Sequence, residues 1–223
     1  MSRLFNDAAL DRLEVATPVV TAHPLSMGCW FNSDDAAVTQ NLMGILDTAG
    51  NNNWWRLLAA GATAGDPVQA ASKDSATVQS AGSTSTGYTA GVWHHALAVF
   101  ASATSRAAYI DGGSKGTNAV SRSPAGLDVT VIGRQGSLTP TQYVSGLIAE
   151  AAIWDTELSD ADALILARGY SPLLVRPENL VAYWPLIGRT SPEIDVVGRF
   201  ELTVTGAVVA AHPRILRPFA HAA

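Results

Sequence analysis

Apolar residues in this chain come in short runs separated by polar and turn-forming residues. The runs fall at 13–15, 25–31, 42–47, 54–60, 68–73, 76–81, 92–100, 127–132 and 143–154. Their limits are marked by Pro18 and Pro24, by Thr48-Ala49-Gly50-Asn51, by Gly61 and by Asp74-Ser75. Runs near strand length, punctuated by residues that tolerate turn conformations, are the signature of an antiparallel sandwich or barrel.

The pattern is clearest at 92–100. Trp93, His95, Leu97 and Val99 point one way, and Val92, His94, Ala96, Ala98 and Phe100 the other. Tyr109-Ile110 reads as the partner strand, closed by Asp111-Gly112, a strong tight-turn pair. One segment departs from the strand period. Residues 159–168 read as a short helix, with Ser159 as N-cap, Asp162 in a capping-box position and Gly169 at the C-terminal end. The Ser-, Thr- and Gly-rich stretch 80–87 reads as an exposed connection. Residues 213–223 carry two prolines and no strand pattern. They read as an extended arm on this subunit or a neighbour, leaving 1–212 as one domain.

Composition narrows the function classes. The chain has 223 residues and is 48% hydrophobic, enough for one sizeable core. A formal charge of -5 argues against a nucleic-acid surface, which needs clustered Lys and Arg. A single cysteine, Cys29, excludes an internal disulfide framework, and its apolar neighbours point to a buried thiol. The first residues have no apolar leader pattern, and no apolar run is long enough for a membrane helix. The sequence therefore predicts cytoplasmic synthesis and no membrane insertion.

Four blocks resemble one family in its order along the chain. They are Phe5 to Val15; Leu25-Ser26-Met27-Gly28-Cys29-Trp30-Phe31-Asn32; the Trp93-His94-His95 strand with Tyr109-Ile110-Asp111-Gly112; and Val131-Ile132-Gly133-Arg134 followed by 143–154 and Leu158-Ser159-Asp160-Ala161. This order is similar to the concanavalin A-like, laminin G-like jelly rolls. A fifth block, Asn179 to Leu186, resembles the strand that usually opens such domains, yet lies near the C-terminus. The resemblance implies an all-β, two-sheet antiparallel jelly-roll sandwich with one short helix. It implies a recognition fold with some glycan-cleaving members, so catalytic acids must be sought.

Glu193-Ile194-Asp195 resembles the start of a hydrolase Glu-x-Asp-x-x-Glu signature, but Gly198 stands at the third acid. Retaining hydrolysis needs two carboxylates facing one cleft, so the pair reads instead as solvated loop acids. His94 and His95 face opposite ways and cannot hold one ion together. The resemblance implies calcium ligands in the first and hairpin-turn blocks, which makes Asp7, Asp11, Asp111 and Glu150 the candidates. Calcium needs several oxygens, and Ala149 replaces a common acid beside Glu150.

Glycan binding would use exposed rings beside amide groups. Asn51-Asn52-Asn53-Trp54-Trp55-Arg56 is the richest such cluster, and one of the two tryptophans is expected in the core with the other partly exposed. Tyr88 and Tyr143, beside Gly- and Thr-rich loops, are expected on the rim. Two readings follow. One is a noncatalytic module for a glycan or other cell-surface ligand, plausible on a virus particle. The other is a bacteriophage structural subunit, capsid-decorating or tail-associated, that assembles as a homo-oligomer and acts at the virion surface. A glycoside hydrolase stands third.

Overall fold

A computed structural model describes residues 1–50, 52–75, 79–136 and 140–216. Among these, the strands form two antiparallel sheets packed face to face. One sheet runs β10 (Gly113–Asn118), β9 (Ser105–Ile110), β8 (His94–Ser102), β3 (Leu25–Ser33), β12 (Gly146–Trp154), β1 (Ser2–Phe5) and β15 (Val208–Ala210). The other runs β14 (Thr203–Thr205), β2 (Arg12–Val15), β11 (Val129–Ile132), β4 (Thr39–Leu46), β5 (Trp54–Ala60), β6 (Pro67–Lys73) and β7 (Ser80–Gly87). The all-β jelly-roll expectation from the sequence is what the chain adopts.

The displaced fifth block is β13 (Leu180–Trp184). It pairs with Ala151 to Trp154 of β12, while β1 pairs with Gly146 to Ile148. The two strands thus share one side of β12 end to end, one from each end of the chain. The join lies at Ala149-Glu150, where the register of β12 against β3 shifts and Glu150 takes φ +55°. A bulge there inserts a residue and re-aims its side chain.

Alternation fixes which residue faces which layer. Phe5, Met27, Phe31, Phe100, Ile148 and Trp184 from the first sheet meet Leu13, Leu42, Ile45, Trp55, Leu57 and Ile132 from the second. The reverse face of the first sheet is also covered. Leu97, Val99, Tyr109, Trp154 and Tyr183 pack under α1 (Asp160–Ala167) and Leu158, Ala163, Leu166 and Val175. This explains why 92–100 is apolar at almost every position: both faces of β8 are inside. The helix begins as its sequence predicts, with the Ser159–Asp162 capping box formed.

Two expectations are corrected. Residues 80–87 are not an exposed connection but strand β7, because the ladder with β6 satisfies their backbone groups while small side chains fit between neighbours. Glu193 and Asp195 are not solvated; each is 2% exposed. Of the two placements expected for the arm, contact with its own subunit is seen at Leu216, whose N–H and C=O bond Gly169 and Ser171. Residues 76–78, at the start of an expected strand, and 217–223 of the arm lie outside the described residues, as does Asn51.

Candidate functional site

Asp7 and Tyr143, called from sequence for different purposes, line one open groove. Val38, Thr39 and Gln142 complete it, and its volume is about 360 Å³. Asp7 sits in the 3-10 turn Asp7–Ala9, exposed, with its Oδ1 accepting the Ala8 N–H at 2.8 Å. Val38 and Thr39 lead into β4, and Gln142-Tyr143 precede β12. The groove therefore offers a half-buried phenol ring, a hydroxyl, an amide and a carboxylate around an apolar Val38 wall. That mixture of a ring face with a few convergent hydrogen-bonding groups suits a polyhydroxylated ligand.

Gln142 is fixed from three sides. Its backbone takes φ +52°, its C=O accepts the Asn41 N–H at 2.9 Å, and its Oε1 accepts from Arg56 Nη1 at 2.6 Å. Left-handed backbone at a non-glycine residue persists only where the surroundings over-determine it. With Oε1 held by the guanidinium, the donor end of the amide is the one left to serve the groove.

Arg56 itself comes from β5 and is 3% exposed. Its guanidinium carbon lies 3.7 Å from the centroid of the Trp54 ring, a cation–π contact. Its Nη2 donates to Gln79 Oε1 at 3.1 Å. Burial lowers its pKa to about 9, which leaves it charged at neutral pH.

The other expected site residues are placed elsewhere. Trp55 is in the sandwich core, and Trp54 packs with Leu46, Leu58 and Val131 on the reverse face of the second sheet. Both are buried, so neither offers the partly exposed ring expected. The reason is Arg56 stacked on Trp54, with Gly136 pressed against the neighbouring Leu46. Asn52 and Asn53 are half-buried; Asn53 Oδ1 accepts from the Ser75 N–H at 3.2 Å and pins a loop. Tyr88 is buried rather than on the rim, its hydroxyl on Asp35 O at 3.1 Å, and burial, then Asp66 and Asp35, push its pKa up to about 12.

The four calcium candidates do not converge. Asp11 is buried, accepts the Asn6 N–H at 3.0 Å, and abuts Gly206 so closely that a Cβ there would lie 1.7 Å from its Oδ1. Asp111 clamps the β8–β9 hairpin: its Oδ1 accepts the His95 N–H at 2.9 Å and its Oδ2 meets His94 Nδ1 at 2.7 Å. The Thr89 N–H donates to His94 Nε2, which leaves the imidazole proton on Nδ1, facing Asp111. Burial would raise the Asp111 pKa, but the His94 and His95 hydrogen bonds outweigh it and hold it below the usual range. Glu150 accepts the Tyr183 hydroxyl and meets His212 Nε2 at 2.9 Å. Among the described residues no cluster of three His, Cys, Asp or Glu side chains could hold a metal.

The hydrolase-like acids are structural too. Glu193 Oε2 accepts from Arg3 Nη2 at 2.7 Å, and Oε1 from the Gly188 N–H. Asp195 accepts four backbone N–H groups, from Tyr183, Val197, Arg199 and Phe200. Sequence reasoning missed Val38, Thr39 and Gln142. Arg56 closes the Asn-Trp cluster the sequence singles out, but nothing in the sequence assigns it a role of its own. Gln142 has no local signal, because its role comes from its backbone and from a partner 86 positions away.

Comparison with known proteins agrees with the sandwich. No curated protein sequence matches the chain. A putative carbohydrate binding protein from Bacteroides ovatus superposes with a TM-score of 0.62 at 16% identity, covering 93% of this chain and 58% of that one. Domain 4 of AbnA, an extracellular arabinanase from Geobacillus stearothermophilus, solved in complex with arabinotriose, gives 0.57 at 19%, covering 69% of this chain and 71% of that one. The enzymatically active domain of tailspike protein 2 of bacteriophage CBA120 gives 0.54 at 16%, covering 82% and 29%. At these identities the likeness shows the fold. The Laminin_G_3 family model, described as concanavalin A-like lectin/glucanases superfamily, matches residues 7–163. The chain belongs to that superfamily.

Proposed function

We propose that this chain is a noncatalytic glycan-binding module whose ligand lies in the Tyr143 groove. The observation that carries this is the convergence of Tyr143, Gln142, Thr39 and Asp7 on one open groove, with Gln142 held by Arg56. Solved structures of the same fold include a putative carbohydrate binding protein and an arabinanase domain in complex with arabinotriose, which supports a saccharide as ligand. The burial of Glu193 and Asp195 in structural bonds supports binding without hydrolysis.

A glycan array of broad coverage tests this, followed by calorimetry on any hit with the wild type and Tyr143→Ala. Binding that falls about tenfold or more in the variant, with melting unchanged, is expected. Silence across all glycan classes overturns it. The fold likeness to a phage tailspike domain favours a second setting, a subunit of a virus particle. Mass spectrometry of purified particles tests that setting, and absence from them removes it.

A further inference from the structure

We infer that the Tyr143 groove selects an acidic saccharide, one carrying a carboxylate or sulfate, through the unneutralised charge of Arg56 behind Gln142. The inference rests on the glycan-binding reading and narrows its ligand class.

Arg56 is a buried cation held by neutral partners. Its two terminal nitrogens meet amide oxygens, those of Gln142 and Gln79, and its plane meets the Trp54 ring. Its Nε has no partner among the described residues. No carboxylate among them pairs with it, whereas buried Arg3 has Glu193 and buried Arg134 has Glu14; Arg106 is likewise held by neutral oxygens, those of Asn118, Ala103 and Val120. The acid near this face, Glu14, is already bound to Arg134 and Arg12. A buried charge normally has a counter-charge, because leaving it without one costs several kcal/mol. Burial alone accounts for the lowered Arg56 pKa, and the group still carries its proton at neutral pH.

That charge is felt in one open direction described above. Gln142 both lines the groove and bonds the guanidinium, so its polarised amide carries positive potential to the ligand side. Asp7 stands on the groove as a negative charge, exposed to water and therefore well screened. A ligand acid would settle on the Gln142 side, away from Asp7, with its ring against Tyr143. Arg56 acts here as a positioning residue, since it touches Gln142 and not the ligand.

The test compares matched oligosaccharides, neutral, carboxylated and sulfated, by calorimetry against the wild type, Gln142→Glu and Gln142→Ala. In the wild type the acidic forms are expected to bind roughly tenfold tighter than the neutral one, a preference that shrinks as salt rises. Gln142→Glu supplies Arg56 with a carboxylate in place, so its melting temperature is expected at or above wild type while the preference disappears. Gln142→Ala removes the shield and is expected to keep or widen the preference while weakening all ligands. The carboxylated and sulfated arms identify which acid is preferred. Equal or tighter binding of the neutral form, or a preference that survives Gln142→Glu, overturns the inference and leaves the glycan-binding reading standing. Failure of every saccharide to bind overturns both.

Discussion

Arg3 and Glu193, 190 positions apart, form a buried ion pair of 2.7 Å. Arg3 also donates to Ala207 O and Thr190 O, so one guanidinium fastens β1 to two parts of the C-terminal segment. Removing one partner strands the other as an uncompensated buried charge. Glu193→Gln is therefore expected to cost about 3–5 kcal/mol, a melting temperature lower by roughly 10 °C. Differential scanning calorimetry measures it; a change under about 2 °C would show that the pair contributes little.

Trp54 and Trp55 should behave as core residues. Either Trp→Ala is expected to destabilise by about 3–5 kcal/mol, seen in denaturant unfolding, with ligand affinity of the surviving folded protein lowered less than by Tyr143→Ala. If Trp55→Ala instead abolished binding in a protein of normal stability, the groove at Tyr143 would not be the site.

His95 gives the protein a pH dependence of known sign. It is 3% exposed and edge-on to Trp30, and burial lowers its pKa to about 4, against a weaker upward pull from Asp111. The unfolded chain takes up this proton near pH 6.5, before the folded one does. The contribution is thus complete above pH 6.5 and is lost as pH falls from there to 4, on the order of 3 kcal/mol. Subtracting the stability curve of His95→Phe from that of the wild type isolates it. A flat difference between pH 7 and 4 would contradict the assignment.

Cys29 is fully buried in the core face of β3, and burial alone pushes its thiol pKa up. Thiolate is the reactive form. A thiol reagent is expected to leave the native protein unmodified and to label it once unfolded in denaturant, read by intact mass.

What was legible in the sequence follows from which forces are local. Strand β5 was readable to the residue, because its apolar run ends at Gly61, and α1 was readable from the Ser159–Asp162 pair. Strand β7 was not: Ser, Gly and Thr supply no apolar alternation, and its place is set by pairing with β6. The same divide separates the site residues. Tyr143 is a ring beside a loop and could be named in advance. The burial of Trp54 depends on Arg56 folding back over it, and the value of Gln142 on a bond from β5, which no spacing along the chain encodes.

The shared side of β12 has a consequence for how the molecule comes into being. Its neighbours there are residues 2–5 and 180–184, and beyond β1 the sheet ends in residues 208–210. A chain emerging from the ribosome can assemble the hairpins β4–β5–β6 and β8–β9 early, since their contacts are close in sequence. The first strand, however, waits until residues 208–210 are made before both its neighbours exist. Until then an unpaired edge and the Arg3 charge stand open to solvent and to other chains. The hazard of misassembly lasts until residues 208–210 arrive, and strands far apart in sequence must meet to end it.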